Sequence, residues 1–119
     1  MNPLRRFFRG IAESDEERLA SEIRTWAGSV PGVVRISDVK ARQQAKLAGI
    51  VRRITYRPVS GHESLEVLLT DGTGEMAVLW MGRRSIPGLS LGTRVVVVGM
   101  VGEERGLRRM VNPRFEFST

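Results

Sequence analysis

The chain has no cysteine. That excludes disulfides, thiolate nucleophiles and cysteine-held metals, and it fits a reducing cytoplasm. A single histidine, His62, leaves no imidazole cluster to hold a metal, so neither metal nor cofactor is expected. Aromatic residues make up only 6% of the chain, so a core has to be built from Val, Leu, Ile and Met. No run approaches the ~18 apolar residues that mark a membrane-spanning helix. The opening MNPLRRFFRG has arginines but no apolar segment behind them, so secretion and membrane contact are not expected and a cytoplasmic location is.

Arginine, by contrast, is abundant and outnumbers lysine 17 to 2. The net charge is +6, and such an excess suits a polyanionic partner. Arginine in particular suits phosphate forks and stacking on bases, although a coding sequence rich in G and C favours it too. The charge is unevenly placed. Residues 1–41 carry seven basic against six acidic side chains, whereas residues 42–119 carry twelve against seven. A chain of 119 residues forms one core, and the pattern divides it into an N-terminal basic arm and capped helix with linker (1–41) and a barrel (42–119).

The first segment holds one helix. Ser14 followed by Glu17 reads as a capping box, Asp15 and Glu16 favour the same end through the helix dipole, and Leu19, Ile23 and Trp26 recur at helical spacing. Gly28 and Pro31 stop it, so a helix over about 14–27 is predicted, a buttress on the barrel. Ahead of it, PLRRFFRG is a basic arm or a frayed end, or Phe7 and Phe8 tuck against the core.

After residue 41 the period changes from helical to alternating. AKLAGIVRRITYRP (45–58) places Leu47, Gly49 and Val51 on one face, and a glycine there lets a strand coil enough to serve both sides of a barrel. LEVLLT (65–70) points Leu65, Val67 and Leu69 inward, EMAVLWM (75–81) does so with Met76, Val78 and Trp80, and RVVVVGMV (94–101) and GLRRMVNPRFEF (106–117) complete five strands.

Between the second and third strands stands Asp71-Gly72-Thr73-Gly74. A phosphate loop there would need a helix behind it and, in the Walker form, a lysine; a strand comes next instead. A protease carboxylate pair would need a second lobe or chain, which one Asp in so short a sequence lacks. The remaining reading is a turn in which Gly72 and Gly74 take positive φ while Asp71 or Thr73 bonds the backbone.

Four signatures in order, Gly49 with Val51, Asp71 to Gly74, Leu91-Gly92 and Asn112-Pro113, resemble the OB-fold group that includes the wedge domain of branch-migrating DNA helicases. They are similar also to OB modules of polymerase subunits and aminoacyl-tRNA synthetases. A short chain with one helix ahead of the barrel resembles the small stand-alone OB-fold proteins of actinobacteria. The resemblance, over roughly residues 40–117, implies a mainly β chain, a five-stranded Greek-key OB-fold barrel with an N-terminal α-helix. Such barrels bind single-stranded or branched nucleic acid across strands two and three and the adjoining loops, which implies a place in DNA repair or recombination.

Candidate contacts can be named on that expectation. Arg52, Arg53 and Arg57 end strand one, Arg83 and Arg84 come just after strand three, and Arg105, Arg108 and Arg109 flank the last hairpin. Tyr56 is the best stacking ring, or it rests on the barrel with its hydroxyl in water. Trp80 stands where the helicase wedges carry an aromatic, but alternation places it in the core. Outward positions Glu66, Leu68, Thr70, Glu75, Ala77, Leu79 and Met81 offer two carboxylates and no ring, which departs from OB-folds that grip single strands tightly.

SGHES (60–64) holds the residue types of a hydrolase triad, but neighbours in one short loop do not reach triad geometry. The expected activity is therefore non-catalytic binding of DNA, or of RNA. The alternative is a protein-interaction module. In that reading Leu68, Ala77, Leu79 and Met81 form an exposed patch, unless the Leu19, Ile23 and Trp26 face covers it, and the helix could also pair two chains.

Overall fold

In a computed structural model that describes residues 3–118, with side chains described from Asp15 onward, one helix precedes a closed barrel. The helix, α1, runs Pro3–Ser29. Its start lies eleven residues ahead of the predicted one, so Ser14 falls within the helix and not at its beginning. Pro3 fits a first helical turn, where a missing N–H costs no bond, and the basic stretch after it continues the helix. Phe7 and Phe8 fall outside the described side chains.

Six strands make up the rest: β1 Gln44–Tyr56, β2 Ser64–Thr70, β3 Glu75–Met81, β4 Arg94–Glu104, β5 Leu107–Val111 and β6 Arg114–Phe117. The fifth predicted strand is thus broken in two at Asn112-Pro113. Asn112 takes φ +51°, donates its N–H to the Leu79 carbonyl at 2.7 Å and accepts from the Met81 N–H through Oδ1 at 2.8 Å. Proline cannot donate to a ladder, so the chain must change partner there. β5 lies parallel to β3, while β6 lies antiparallel to β4.

Long β1 closes the barrel. Residues 44–50 pair with β4 and residues 50–56 with β2, both antiparallel. The ladder β1-β2-β3-β5-β4 therefore returns to β1, the Greek-key closure expected. Two features bend this strand. At Gly49 an added Cβ would stand 3.0 Å from the Thr70 carbonyl oxygen, a tight contact that glycine avoids where β2 comes near. Between Val51 and Arg53 the register slips by one, leaving Arg52 on a bulge.

The interior is aliphatic as predicted. Leu47, Val51, Leu65, Val67, Leu69, Met76, Val78 and Trp80 are buried in one cluster with Val95, Val97, Val101 and Met110. Ile36 and Val39, on and beside a short 3-10 turn (Ile36–Asp38), join that cluster.

The turn at residues 71–74 holds this arrangement together. Asp71 is 4% exposed. Its Oδ1 accepts from the Thr73 N–H at 2.9 Å, the Thr73 hydroxyl at 2.6 Å and the Gly74 N–H at 3.3 Å. Its Oδ2 accepts from the Ile36 N–H at 2.9 Å, and the Thr73 hydroxyl oxygen accepts from the Ser37 N–H at 3.1 Å. The DGTG stretch is therefore a turn, as expected, but also a clasp on the linker. Gly72 has φ +84°, whereas Gly74 stays out of the left-handed region, because the carboxylate closes the turn from the other side. A Cβ on Gly72 would lie 2.5 Å from Arg24 Cγ and 2.7 Å from the Ala20 carbonyl oxygen, so this glycine lets α1 rest on the turn.

The helix buttresses the barrel as expected, but through the end of its apolar stripe and on β1 and β4, not on β2 and β3. Ala27 packs with Ala48 of β1 and Val96 of β4, joined by Trp26, Val30 and Val33. Leu19 remains 55% exposed. Among the described residues, α1 therefore packs on the β1–β4 side and not on the outer face of β2 and β3.

Asp71→Ala should lower unfolding free energy by about 3 kcal/mol, because buried N–H groups lose a charged acceptor. Urea denaturation followed by circular dichroism measures it, and a loss under about 1 kcal/mol would mean that the clasp is dispensable. Gly72→Ala should also destabilise, through both its φ and the helix contact.

Candidate nucleic-acid interface

The arginines named as candidate contacts are divided by the backbone. After the bulge, Arg53 pairs with Leu68, Thr55 with Glu66 and Ile54 with inward-facing Val67, so Arg53 and Thr55 point outward. Arg52, on the bulge, is turned away. It lines a groove of about 620 Å³ beside Leu19, Ala20 and Ile23 of α1. The expected cluster of Arg52, Arg53 and Arg57 is therefore corrected: one shifted residue sends its first member to the helix side.

Across the outer face, register aligns Arg53, Leu68, Ala77 and Arg109 in one row. At about 4.8 Å per strand the row is roughly 14 Å long. Beside it Arg57, Arg105 and Arg109 converge on a shallow groove of about 260 Å³, with Glu66, Ala77, Glu104 and Leu107 as its other walls. Local chemistry places each of the three. Arg57 comes just after β1 and donates its N–H to the Ser64 carbonyl at 2.9 Å, which ties the base of the β1–β2 loop. Arg105 and Gly106 both have positive φ, at +52° and +79°, the requirement of a tight two-residue hairpin turn. Arg109 faces Gly102 across the β4–β5 ladder, and no side chain opposes it.

Two of these cations are paired. Arg57 Nη1 lies 3.2 Å from Glu66 Oε2, and the Arg109 guanidinium pairs with the Glu104 carboxylate. Among the described residues, Arg53 and Arg105 have no such partner within 4.0 Å.

The remaining predicted residues lie elsewhere. Arg84 stands 5.1 Å from the centre of the Tyr56 ring and 3.5 Å from Glu63, so Tyr56, 44% exposed, already has a cation on its face. Arg83 lies 5.8 Å from the Phe115 ring centre. Arg108 shares the inward side with Met76 and Met110 and stands opposite Glu103. It therefore belongs to the barrel end rather than the groove. Trp80 is 3% exposed, meets Phe115 edge-on at 5.2 Å and donates Nε1–H to the Pro113 carbonyl at 3.2 Å. It is core, as alternation required.

The expected exposed patch needs correction too. Ala77 and Leu79 are each 8% exposed, because Leu68 and Arg109 flank the first and Glu66 and Val111 the second across the sheet. The exposed aliphatics near this groove are Leu107 and Val111 on either side of Arg109, with Met100 beyond. Sequence reasoning passed these over because they sit beside the strands it examined. Ser64, from the SGHES loop, is buried, and its hydroxyl donates to the Arg57 carbonyl. No group of three or more His, Asp or Glu that could hold a metal occurs among the described residues, nor is any helix long and apolar enough to cross a membrane.

Comparison with solved structures places this geometry. The OB domain of a Thermoplasma acidophilum protein matches with a TM-score of 0.59 at 17% identity, over 73% of this chain and 87% of that one. The OB domain of a Methanosarcina mazei protein matches with a TM-score of 0.60 at 22% identity, over 75% and 85%. The barrel is an OB-fold. A Replication Protein A heterotrimer bound to ssDNA also matches, with a TM-score of 0.53 at 15% identity, over 75% of this chain and 67% of that one. No protein-family model and no curated protein matches the sequence. In this OB barrel the arginine groove lies between the β1–β2 and β4–β5 loops, the position at which the fold commonly takes oligonucleotides.

With Trp26→Phe as background, the remaining Trp80 should emit at short wavelength and resist acrylamide. Adding nucleic acid should leave that emission unchanged. Quenching by an oligonucleotide would instead make Trp80 a stacking platform.

Proposed function

We propose that this OB barrel binds single-stranded nucleic acid without catalysis, along the outer face of β2, β3 and β5. The observation that carries the reading is the convergence of Arg57, Arg105 and Arg109 on one groove, with Arg53 in the same row. Guanidinium groups there would meet phosphates, and half-buried Leu68 with the exposed Leu107 and Val111 would meet the bases. The net charge of +6 and the structural neighbour solved on ssDNA support it. With no ring on this face, affinity rests on phosphate contacts and falls steeply with salt.

The finer reading is single-stranded or branched DNA in repair or recombination, within a cysteine-free cytoplasmic protein. It rests on the likeness of the four sequence signatures to helicase wedge domains. Tyr56, Arg83 and Arg84 would extend the track past the β1–β2 loop, while Arg52 and Arg108 lie off it. A second reading has its own observation. Leu107, Val111 and Met100, exposed at 42%, 47% and 56%, would suit a protein partner docked beside Arg109.

Fluorescence anisotropy with labelled single-stranded DNA, matched RNA and a branched junction tests the proposal. The triple variant Arg57→Ala, Arg105→Ala, Arg109→Ala should bind roughly tenfold or more weakly, with a flatter salt dependence. Arg52→Ala should bind as the unaltered protein does. Unaltered binding by the triple variant would move the site off this groove, and no binding at low salt would favour the protein partner.

A further inference from the structure

The groove carries its own competitors. Glu66 reaches Arg57 from β2, and Glu104 reaches Arg109 from the end of β4. Both carboxylates line the same groove as the arginines they neutralise. They come from strands on opposite sides of β3 and β5, so each half of the site has one paired cation. Glu66 side-chain exposure is 29% and Arg109 side-chain exposure is 31%, so in each pair one member lies against the sheet while the other, Arg57 at 65% or Glu104 at 55%, stands largely in solvent.

A phosphate entering this groove meets two arginines already bonded to carboxylates and two, Arg53 and Arg105, that are not. Resting on the proposed nucleic-acid reading, we propose that Glu66 and Glu104 act as built-in phosphate mimics. They occupy Arg57 and Arg109 in the free protein and must be displaced for a strand to seat. The consequences are a modest affinity and a ligand footprint set by the two unpaired cations. Exposed ion pairs are weak enough to exchange in this way, and Arg109 can turn its fork from carboxylate to phosphate without moving the strand beneath it. The carboxylates also repel strands that arrive out of register, which makes them determinants of specificity as well as of strength.

The test uses the full chain with Glu66→Gln and Glu104→Gln, singly and together, each keeping the shape of its side chain. Binding of a fluorescent oligothymidylate is measured over a range of salt concentrations. Each variant should bind about threefold more tightly, the equilibrium factor for an exposed pair that no longer has to break. The slope of log affinity against log salt should steepen by about 0.7 for each arginine released. Glu66→Gln introduced into an Arg57→Ala background should give no gain over Arg57→Ala alone, whereas a general change in charge would raise affinity there as well. If the unaltered protein binds but the glutamine variants bind equally or more weakly, the mimic reading is overturned. If the gain survives Arg57→Ala, it is overturned as well. If neither the unaltered protein nor the double variant binds the oligonucleotide at low salt, the nucleic-acid reading fails and the mimic reading with it.

Discussion

A single buried carboxylate organises this molecule. Asp71 accepts four hydrogen bonds, three within its own turn and one from the linker at Ile36. Burying a charge is costly unless donors surround it, and here they do so from two segments that are distant in sequence. Through this one group the β2–β3 turn holds the Ile36–Asp38 turn over the barrel end, where Ile36 and Val39 complete the core. The adjacent glycine admits α1 close to the same turn. Helix, linker and hairpin therefore share one point of attachment.

That attachment also decides which face is free. Because the described part of α1 meets the barrel at Ala48, Val96 and the 71–74 turn, it occupies the β1–β4 side and not the outer face of β2, β3 and β5. The same geometry sends Arg52 toward the helix and Arg53 toward the open face, since the bulge changes the side on which successive residues emerge. The sequence signatures shared with other OB barrels serve this framework. Gly49 admits Thr70, Gly92 donates its N–H to the Val51 carbonyl at 2.7 Å, and Asn112 turns the chain between β5 and β6. They build the barrel, and the face proposed for binding is drawn from residues outside them.

The site that results balances charge instead of accumulating it. Four arginines border the open face, yet two are held by glutamates from neighbouring strands. The rings that OB-folds often use for stacking are here committed elsewhere. Trp80 and Phe115 close the interior, and Tyr56 lies under Arg84. Aliphatic side chains and partly exposed ion pairs are what this face offers, which suits the transient and sequence-tolerant contact proposed for it.

Alternation of apolar residues was enough to place the strands, their inward faces and the burial of Trp80, because a period of two allows one register against a single core. Turn chemistry at residues 71–74 was equally legible, since local hydrogen bonding decides it. The helix start was not, because a capping box marks a favourable beginning without preventing an earlier one. Nor could the sequence by itself show that Ala77 and Leu79 are covered, that Arg52 parts from Arg53, or that Glu66 and Glu104 face Arg57 and Arg109. Those facts depend on a one-residue bulge and on pairing between strands far apart in the chain, and only the closed barrel brings such residues within reach of one another.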